Sequence, residues 1–242
     1  MEWFKDWFNS KYYHILYKNR NDQEAERFLE NLCNLKYFKN QSKIIDIACG
    51  RGRHSIFLSK LGHNVTGIDL SKESIDFANK YKNEQLKFDV ADMRACYQEQ
   101  SFDIALNLFT SFAYFETQKE NQESINEMKN NLKVNGLFII DFLNINYVKK
   151  SLITEEVKII DSIEFKIKRN VTNNYISKQI NFKENNKQYD YIEKVKTYEL
   201  DDFCQMLSNA NCTIIDVFGN YNLEEFNKKQ SNRLIIIAKR WK

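Results

Sequence analysis

The chain has 242 residues, with 36 Lys and Arg against 33 Asp and Glu and no proline. This length fits one large α/β domain with an insertion, and a second independent domain is not expected. The formal net charge of +3 is scattered along the sequence, so charge does not indicate a nucleic-acid partner. Five cysteines without C-x-x-C spacing and 3 histidines predict neither a disulfide framework nor a metal site. No apolar run could cross a bilayer and the N-terminus does not resemble a secretory signal, so we expect a soluble, cytoplasmic protein without a membrane partner.

Residues 1–21 are rich in aromatic side chains. Their spacings of three and four residues predict a helix with one aromatic stripe, which would have to be buried. The aromatic residues are Trp3, Phe4, Trp7, Phe8, Tyr12, Tyr13 and Tyr17. We expect this helix to pack on the edge of the domain.

The stretch Lys43–Ser71 predicts a strand, a small-residue loop, a helix and a second strand. Gly50 and Gly52 lack a Cβ, so the loop backbone can approach a ligand, and its amides, with the N-terminus of the next helix, can face a negative group. The strand Val65–Ile68 ends in Asp69, at the interval that places a carboxylate beside a bound ribose. This pattern predicts a nucleoside site, although two glycines and an acid would also form an ordinary tight turn and a solvated strand end.

Apolar periodicity and turn residues predict the other elements. The predicted helices are Asp22 (as N-cap) to about Tyr37, His54–Leu61, a segment capped by Ser71, Glu116–Leu132 and Glu199–Ala210. The predicted strands after Asp69 are Gln85–Val90, Phe102–Leu108, Leu137–Phe142 after an Asn135-Gly136 turn, Cys212–Phe218 and Arg233–Lys239. Between Asn144 and Tyr198, three alternating segments separated by Asn173-Asn174 and Asn185-Asn186 predict three inserted antiparallel strands.

The segment Asp46-Ile47-Ala48-Cys49-Gly50-Arg51-Gly52 resembles the first motif of class I, seven-stranded S-adenosylmethionine-dependent methyltransferases, with Ala48 in place of that family's first glycine. A dinucleotide-binding loop would need a third glycine near Ser55 and has no use for the acid Asp46, which argues against NAD or FAD. The resemblance implies an α/β fold with a Rossmann-like seven-stranded mixed sheet, helices on both faces, an antiparallel C-terminal hairpin and an inserted antiparallel β-cap. It also implies S-adenosylmethionine as the cofactor and S-adenosylhomocysteine as the product.

The same resemblance implies which residues bind the cofactor. They are Asp46, Ala48, Cys49, Gly50, Gly52, Asp69, Leu70, Asp92, Met93 and Asn107. Asp92 matches the position that accepts from the adenine amino group, and Leu70 and Met93 match those that sandwich the ring. The alternatives are a helix cap for Asp92 and core packing for Met93, while Cys49 is expected to be a small packing residue rather than a nucleophile.

Methyl transfer from a sulfonium needs alignment and a dry pocket more than a covalent partner, so the catalytic residues are hard to identify. If the acceptor is a neutral amine or hydroxyl, some group must take its proton. By expected location the candidates are Tyr13, His14, Asp141, Tyr191 and Glu193. Arg233 would be either a pocket guanidinium for a carboxylate or phosphate, or part of a structural ion pair.

The resemblance also divides the chain. Residues 1–21 would form an aromatic segment or a lid over the cofactor, residues 22–143 and 199–242 the methyltransferase core, and residues 144–198 the β-cap over the acceptor pocket. We expect transfer to N or O of a small-molecule acceptor by a monomer or homodimer. DNA is not expected as a substrate, because DNA base methyltransferases use proline-containing motifs and this chain has no proline. An RNA- or protein-directed methyltransferase and a non-catalytic S-adenosylmethionine-binding module are the alternatives.

Overall fold

The computed structural model describes residues 2–19, 21–172 and 174–241, so Asn173, in one predicted break of the insertion, lies outside the described residues. The helices are α1 (Trp3–Phe8), α2 (Lys11–Leu16), α3 (Asp22–Cys33), α4 (Arg53–Lys60), α5 (Lys72–Ala78), α6 (Gln118–Asn130), α7 (Ile145–Ser151) and α8 (Leu200–Asn209), with a 3-10 turn at Asn79–Tyr81. The strands are β1 (Lys43–Ile47), β2 (Asn64–Asp69), β3 (Leu86–Val90), β4 (Phe102–Asn107), β5 (Leu132–Leu143), β6 (Glu155–Ile160), β7 (Ile163–Val171), β8 (Tyr175–Glu184), β9 (Lys187–Lys196), β10 (Cys212–Phe218) and β11 (Arg233–Arg240). Within the described ranges, none of these helices combines the length and the apolar character that a membrane span requires.

Seven strands form one mixed sheet in the order β10-β11-β5-β4-β1-β2-β3. The five strands from β5 to β3 in this order are parallel, whereas β11 is antiparallel to both of its neighbours, β5 and β10. The predicted Rossmann-like sheet with an antiparallel C-terminal hairpin is therefore confirmed. Because the carboxyl ends of parallel strands meet at one edge, the loops after β1, β2, β3 and β4 converge there.

Apolar side chains cover both faces of this sheet. On one face Phe142 packs against Phe203 of α8, with ring centroids 5.2 Å apart. On the other face Phe28 of α3 belongs to a buried cluster that includes Ile104 of β4. A strand buried on both faces needs a continuous apolar run rather than an alternating one, which explains the run Leu234–Ala238 in β11.

Polar side chains set the starts of several helices. Ser71 caps α5 as predicted, by accepting from a backbone amide in the first turn. The predicted cap of α3 is wrong, because the Asn21 side chain accepts that bond and Asp22 is the first helical residue. The same helix ends at Cys33 rather than near Tyr37.

The predicted Asn135-Gly136 turn lies inside a longer strand. Asn135 has a φ of 67°, and the pairing of β5 with β4 shifts register between Phe102 and Ile104. The strand therefore begins at Leu132 rather than Leu137. The turn residues form a bulge, which bends a strand without ending it.

The insertion forms a separate antiparallel sheet, the cap, in the order β6-β7-β8-β9. An inserted antiparallel cap is confirmed, but the prediction of three strands is wrong because β6 adds a fourth at the edge. In β6, Val157 is 60% and Ile159 is 72% exposed, so this strand has no buried apolar face. A strand is predicted from the alternation of buried apolar and exposed polar residues, and β6 does not show it. The prediction also omits α7, where Ile145 is the buried residue and no helical stripe is visible. The domain bounds stay a prediction.

The N-terminal aromatic residues form two short helices rather than one. Ser10 starts α2 by accepting a hydrogen bond from the Tyr12 amide at 3.1 Å, which separates α2 from α1. Trp7 and Tyr12 are buried in one cluster with Phe165 of the cap. The aromatic residues are thus buried largely against the inner face of the cap rather than on the edge of the core.

Candidate active site

A cavity of about 920 Å³ lies between the carboxyl edge of the large sheet, the N-terminal helices and the inner face of the cap. The predicted site residues that line it are Ala48, Cys49, Gly50, Asp69, Leu70, Asp92, Met93, Tyr13, His14 and Glu193. Among the described residues, the lining does not include Asp46, Gly52, Asn107 or Tyr191. One space therefore joins most of the predicted cofactor residues to the predicted acceptor side.

The loop after β1 turns through residues with positive φ, which are Ala48 at 62°, Gly50 at 57° and Gly52 at 79°. A Cβ on Gly50 would meet nothing within 4 Å, so this backbone faces open space. A Cβ on Gly52 would come within 2.6 Å of the Phe88 ring, so packing and conformation both require glycine there. The loop thus presents bare backbone to the cavity directly before α4 begins at Arg53.

The Asp69 carboxylate is fixed at the end of β2 by two backbone amides. The Gly50 amide donates to Oδ2 and the Ser71 amide donates to Oδ1, each at 2.8 Å. Burial raises the pKa of Asp69, and these two hydrogen bonds oppose that rise. Because a carboxylate has about four lone-pair sites, each oxygen can accept a further bond from the cavity. The side chain can therefore accept from a pair of hydroxyl groups.

Asp46 and Asn107 lie behind this loop, outside the cavity lining. The Ser55 hydroxyl donates to Asp46 at 2.6 Å, and burial raises the pKa of Asp46 to about 6 despite that bond. Asn107 donates to the carbonyls of Ile47 and Ser111 at 3.2 and 3.3 Å. Both side chains brace the loop ends of β1 and β4. Their contact with a cofactor stays a prediction.

Asp92, just after β3, is held by Arg94. The Arg94 side chain donates to both carboxylate oxygens, at 2.6 Å for Nη2 and 3.1 Å for Nε, and the Arg94 amide donates at 2.9 Å. Burial raises the pKa of Asp92, but the bonds from Arg94 outweigh it and the net shift is downward. Arg94 also pairs at 2.5 Å with Glu2, which ties the N-terminal segment to this corner. A bond from Asp92 to an adenine amino group therefore requires Arg94 to move.

A buried ion pair supports the loop after β4. Arg233 donates to Asp141 at 2.7 Å and to the Thr110 hydroxyl at 3.0 Å, and the Phe109 amide donates to Asp141 at 2.8 Å. Phe109 and Thr110 have φ values of 56° and 61°, a conformation that costs free energy in L-residues. Burial raises the pKa of Asp141, and the Arg233 charge opposes that rise. Arg233 is therefore in a structural ion pair at the cavity wall, the second of its predicted alternatives.

On the cap side, Glu193 lies in a polar group that the sequence does not indicate. Trp7 Nε1 and the Tyr17 hydroxyl each donate to Glu193 Oε1 at 2.7 Å, and Lys178 Nζ lies 3.7 Å from Oε2. The Lys178 ammonium also donates to the Tyr17 hydroxyl. Tyr191, predicted as a site residue, packs beside Trp7 with ring centroids 4.6 Å apart and is not in the described lining.

Several residues of the cavity lining are not predicted from the sequence: Arg53, His54, Phe109, Tyr114, Lys158, Arg169 and Lys178. The His54 ring stacks on Phe109 with centroids 4.7 Å apart, and the Arg53 guanidinium lies 4.9 Å from the centroid of the same ring. Both residues directly follow Gly52, so the first helical turn after the glycine loop offers a local signal for them. The cap residues offer no such signal, because their placement depends on the pairing of distant strands.

Comparison with known proteins agrees with this geometry. A family model described as a methyltransferase domain matches residues 44–136, which contain the glycine loop, Asp69 and Asp92. The chain is a class I, S-adenosylmethionine-dependent methyltransferase. This methyltransferase is 24% identical over 219 residues to a protein of Geobacillus sp. (strain WCH70) named "Putative methyltransferase", and the alignment covers 85% of this chain and 88% of that one.

Two solved structures resemble the methyltransferase over nearly its whole length. An S-adenosylmethionine-dependent methyltransferase from Clostridium acetobutylicum ATCC 824 matches with a TM-score of 0.79 and 19% identity, covering 96% of each chain. The sugar N-methyltransferase KedS8 from Streptoalloteichus sp ATCC 53650 matches with a TM-score of 0.73 and 17% identity, covering 95% of this chain and 93% of that one. At these identities the likeness is one of fold.

Proposed function

We propose that this methyltransferase transfers the methyl group of S-adenosylmethionine to a nitrogen or oxygen atom of a small-molecule acceptor held under the cap. The observation that carries the proposal is the shared cavity that runs from Gly50 and Asp69 at the sheet edge to Glu193 on the cap. Its volume of about 920 Å³ is near the upper end of the ~300–1,000 Å³ found for small-molecule sites. An acceptor can therefore share this space with the cofactor.

In this proposal the residues at the sheet edge bind the cofactor. Asp69 accepts from the ribose hydroxyls, Leu70 and Met93 flank the adenine, and the open backbone at Gly50 allows close approach. Asp92 accepts from the adenine amino group once Arg94 gives up part of its carboxylate. When bound, S-adenosylmethionine supplies a methyl group on a sulfonium, whose sulfur keeps the C–S electron pair and leaves as a thioether.

The protein's own part in the reaction is to align the acceptor and exclude water. The N-terminal helices cover the cavity with aromatic side chains, among them Phe8, whose ring centroid lies 5.0 Å from that of Tyr13. Methylation of an amine or hydroxyl releases a proton, which a nearby side chain or solvent must accept. Glu193, Tyr13 and His14 line the cavity and stay candidates for that role by location.

The fold comparison supports a small-molecule acceptor. The sugar N-methyltransferase KedS8 matches 95% of this chain, so the match extends over most of the cap. The cap and the N-terminal helices together enclose the acceptor side of the cavity. Such an enclosure suits an acceptor that enters the protein, and it favours a small molecule over an RNA or a folded protein.

Calorimetry with S-adenosylhomocysteine tests the cofactor half of the proposal. Asp69→Asn replaces one of the two carboxylate oxygens that accept from the ribose hydroxyls in the proposal. We therefore expect the affinity for S-adenosylhomocysteine to fall at least tenfold, or about 1.4 kcal/mol. Met93→Ala should also weaken binding without disturbing the Asp69 contacts. Asp76→Asn is the matched control, because Asp76 is exposed on α5 and pairs with Lys72. Unchanged affinity in both Asp69→Asn and Met93→Ala would contradict the proposed cofactor site.

Transfer of a radiolabelled methyl group tests the acceptor half. The labelled cofactor is offered with a panel of small amines and alcohols, with bulk RNA and with unfolded protein. We expect label in small molecules. Label confined to RNA or protein would contradict the proposal, and tight S-adenosylhomocysteine binding without any transfer would favour a non-catalytic module.

A further inference from the structure

Three charged side chains form one row across the inner face of the cap. Arg169 of β7 pairs directly with Lys178 of β8, and Lys178 pairs directly with Glu193 of β9. All three line the cavity. Because residues in register on one sheet face are close neighbours, two cations and one carboxylate lie side by side at the roof of the acceptor space.

The pairing of Arg169 with Lys178 is unfavourable in isolation. Like charges directly opposite each other destabilise an antiparallel pair. Two further charged residues of the cap, Glu156 and Lys158, line the same cavity, and the cap therefore presents three cations against two carboxylates. The excess of positive charge faces the space in which the acceptor is proposed to bind.

The present partners of these cations leave hydrogen-bond donors unused. The Arg169 guanidinium donates to the Ile153 carbonyl at 3.1 Å and to Glu156 at 2.6 Å, which uses two of its five N–H donors. The Lys178 ammonium donates to Tyr17, while its distance of 3.7 Å to Glu193 is too long for a hydrogen bond. Within the described part of the chain, both cations thus keep donors for a ligand.

Burial increases the cost of this arrangement. The Lys178 side chain is 13% exposed and that of Glu193 is 18% exposed. Burial lowers the pKa of Lys178, Glu193 raises it, and the charge of Arg169 lowers it further. A largely buried cation beside a second cation is stabilised by an anion that bonds to both.

We propose that Arg169 and Lys178 form a subsite for an anionic group, a carboxylate or a phosphate, carried by the acceptor. The proposal rests on the proposed function, since it names the class of acceptor that binds in the same cavity. Glu193, the third member of the row, offsets part of the Lys178 charge and discriminates against a second negative group at its end of the row. The acceptor is then an amine or alcohol that also bears an acid.

Equilibrium dialysis with small anions tests this subsite directly. The protein is saturated with S-adenosylhomocysteine, and radiolabelled phosphate, acetate and neutral acetamide are compared at constant ionic strength. We expect one equivalent of phosphate or acetate to bind at least tenfold more tightly than acetamide. Binding of phosphate alone assigns a phosphate-bearing acceptor, and comparable binding of acetate assigns a carboxylate-bearing one.

Variants of the row identify where the anion binds. Lys178→Met and Arg169→Gln should each weaken anion binding at least tenfold, whereas Lys178→Arg keeps the charge and should retain it. Lys166→Met is the matched control, because Lys166 is an exposed cation of β7 that pairs with Glu164 on the outer face of the cap. Thermal unfolding of each variant verifies that the fold is kept.

Two results would overturn the subsite. One is that neither anion binds more tightly than acetamide, and the other is that Lys178→Met and Arg169→Gln both leave anion binding unchanged. Binding of S-adenosylhomocysteine to the same proteins separates this failure from failure of the proposed function. If the cofactor product binds and the anions do not, the subsite alone is wrong, whereas loss of cofactor binding in the unaltered protein contradicts the function itself.

Discussion

Replacing Ala48 by glycine should stabilise this methyltransferase, although the change removes a side-chain atom. Ala48 has a φ of 62° in the loop after β1, at the position where the family motif has its first glycine. A left-handed backbone costs an L-residue roughly 1–2 kcal/mol. Glycine avoids that cost but loses roughly 0.5–1 kcal/mol of backbone entropy on folding. The two ranges leave a net gain of about 0–1.5 kcal/mol for Ala48→Gly, centred near 0.75 kcal/mol.

Thermal and urea unfolding measure this gain. For a chain of this length, 1 kcal/mol corresponds to roughly 2–4 °C, so a gain of about 0.75 kcal/mol should raise Tm by roughly 1.5–3 °C. Ala25→Gly is the matched control, because Ala25 is buried inside α3 with a helical backbone. There the same substitution should destabilise the protein by about 1 kcal/mol or more. The reasoning is refuted if Ala48→Gly lowers the unfolding free energy as Ala25→Gly does.

Two further substitutions test the buried charges. Burial raises the pKa of Asp46 to about 6. Between pH ~4 and ~6 the folded state therefore binds more protons than the unfolded state. As the pH rises through that window, the contribution of Asp46 to the free energy of unfolding falls by about 3 kcal/mol. Urea unfolding of Asp46→Asn should lack this dependence, and a difference from the unaltered protein that stays constant from pH 4 to 7 would contradict it. Arg233→Met leaves Asp141 buried without its ion-pair partner and should cost about 3–5 kcal/mol. The double variant with Asp141→Asn should recover part of that loss, and equal stability of the single and double variants would show that the pair is not the cause.

The sheet-edge side of the cavity could be predicted because its signals are local. The glycine loop and Asp69 are separated only by α4 and the rest of β2, and the apolar runs of β1 and β2 end at the loop and at Asp69. The packing reason for Gly52, its contact with the Phe88 ring, could not be predicted in the same way. That contact depends on how β3 lies beside β2.

The cap side of the cavity could be predicted only in outline. Alternation of apolar residues indicates that the insertion contains strands, but the sequence does not fix their register. The row of Arg169, Lys178 and Glu193 exists because two hairpins bring these residues into line. Ion pairs between residues far apart in the sequence, such as Asp141 with Arg233, cannot be predicted for the same reason. From the local sequence, each residue is simply a charged residue near the end of a strand.

The packing of the N-terminal helices on the cap has a consequence for how the protein is made. α1 and α2 are complete by Leu16, whereas the cap strands that bury Trp7 and Tyr12 run from Glu155 to Lys196. A ribosome adds ~5–20 residues per second, so the cap strands that bury these aromatic side chains are complete roughly 9–36 s after α2 is synthesised. During that interval the nascent chain exposes the aromatic side chains of α1 and α2, an apolar segment of the kind that chaperones bind. Biosynthesis therefore completes the packing of α1 and α2 late, even though these helices are synthesised before the core.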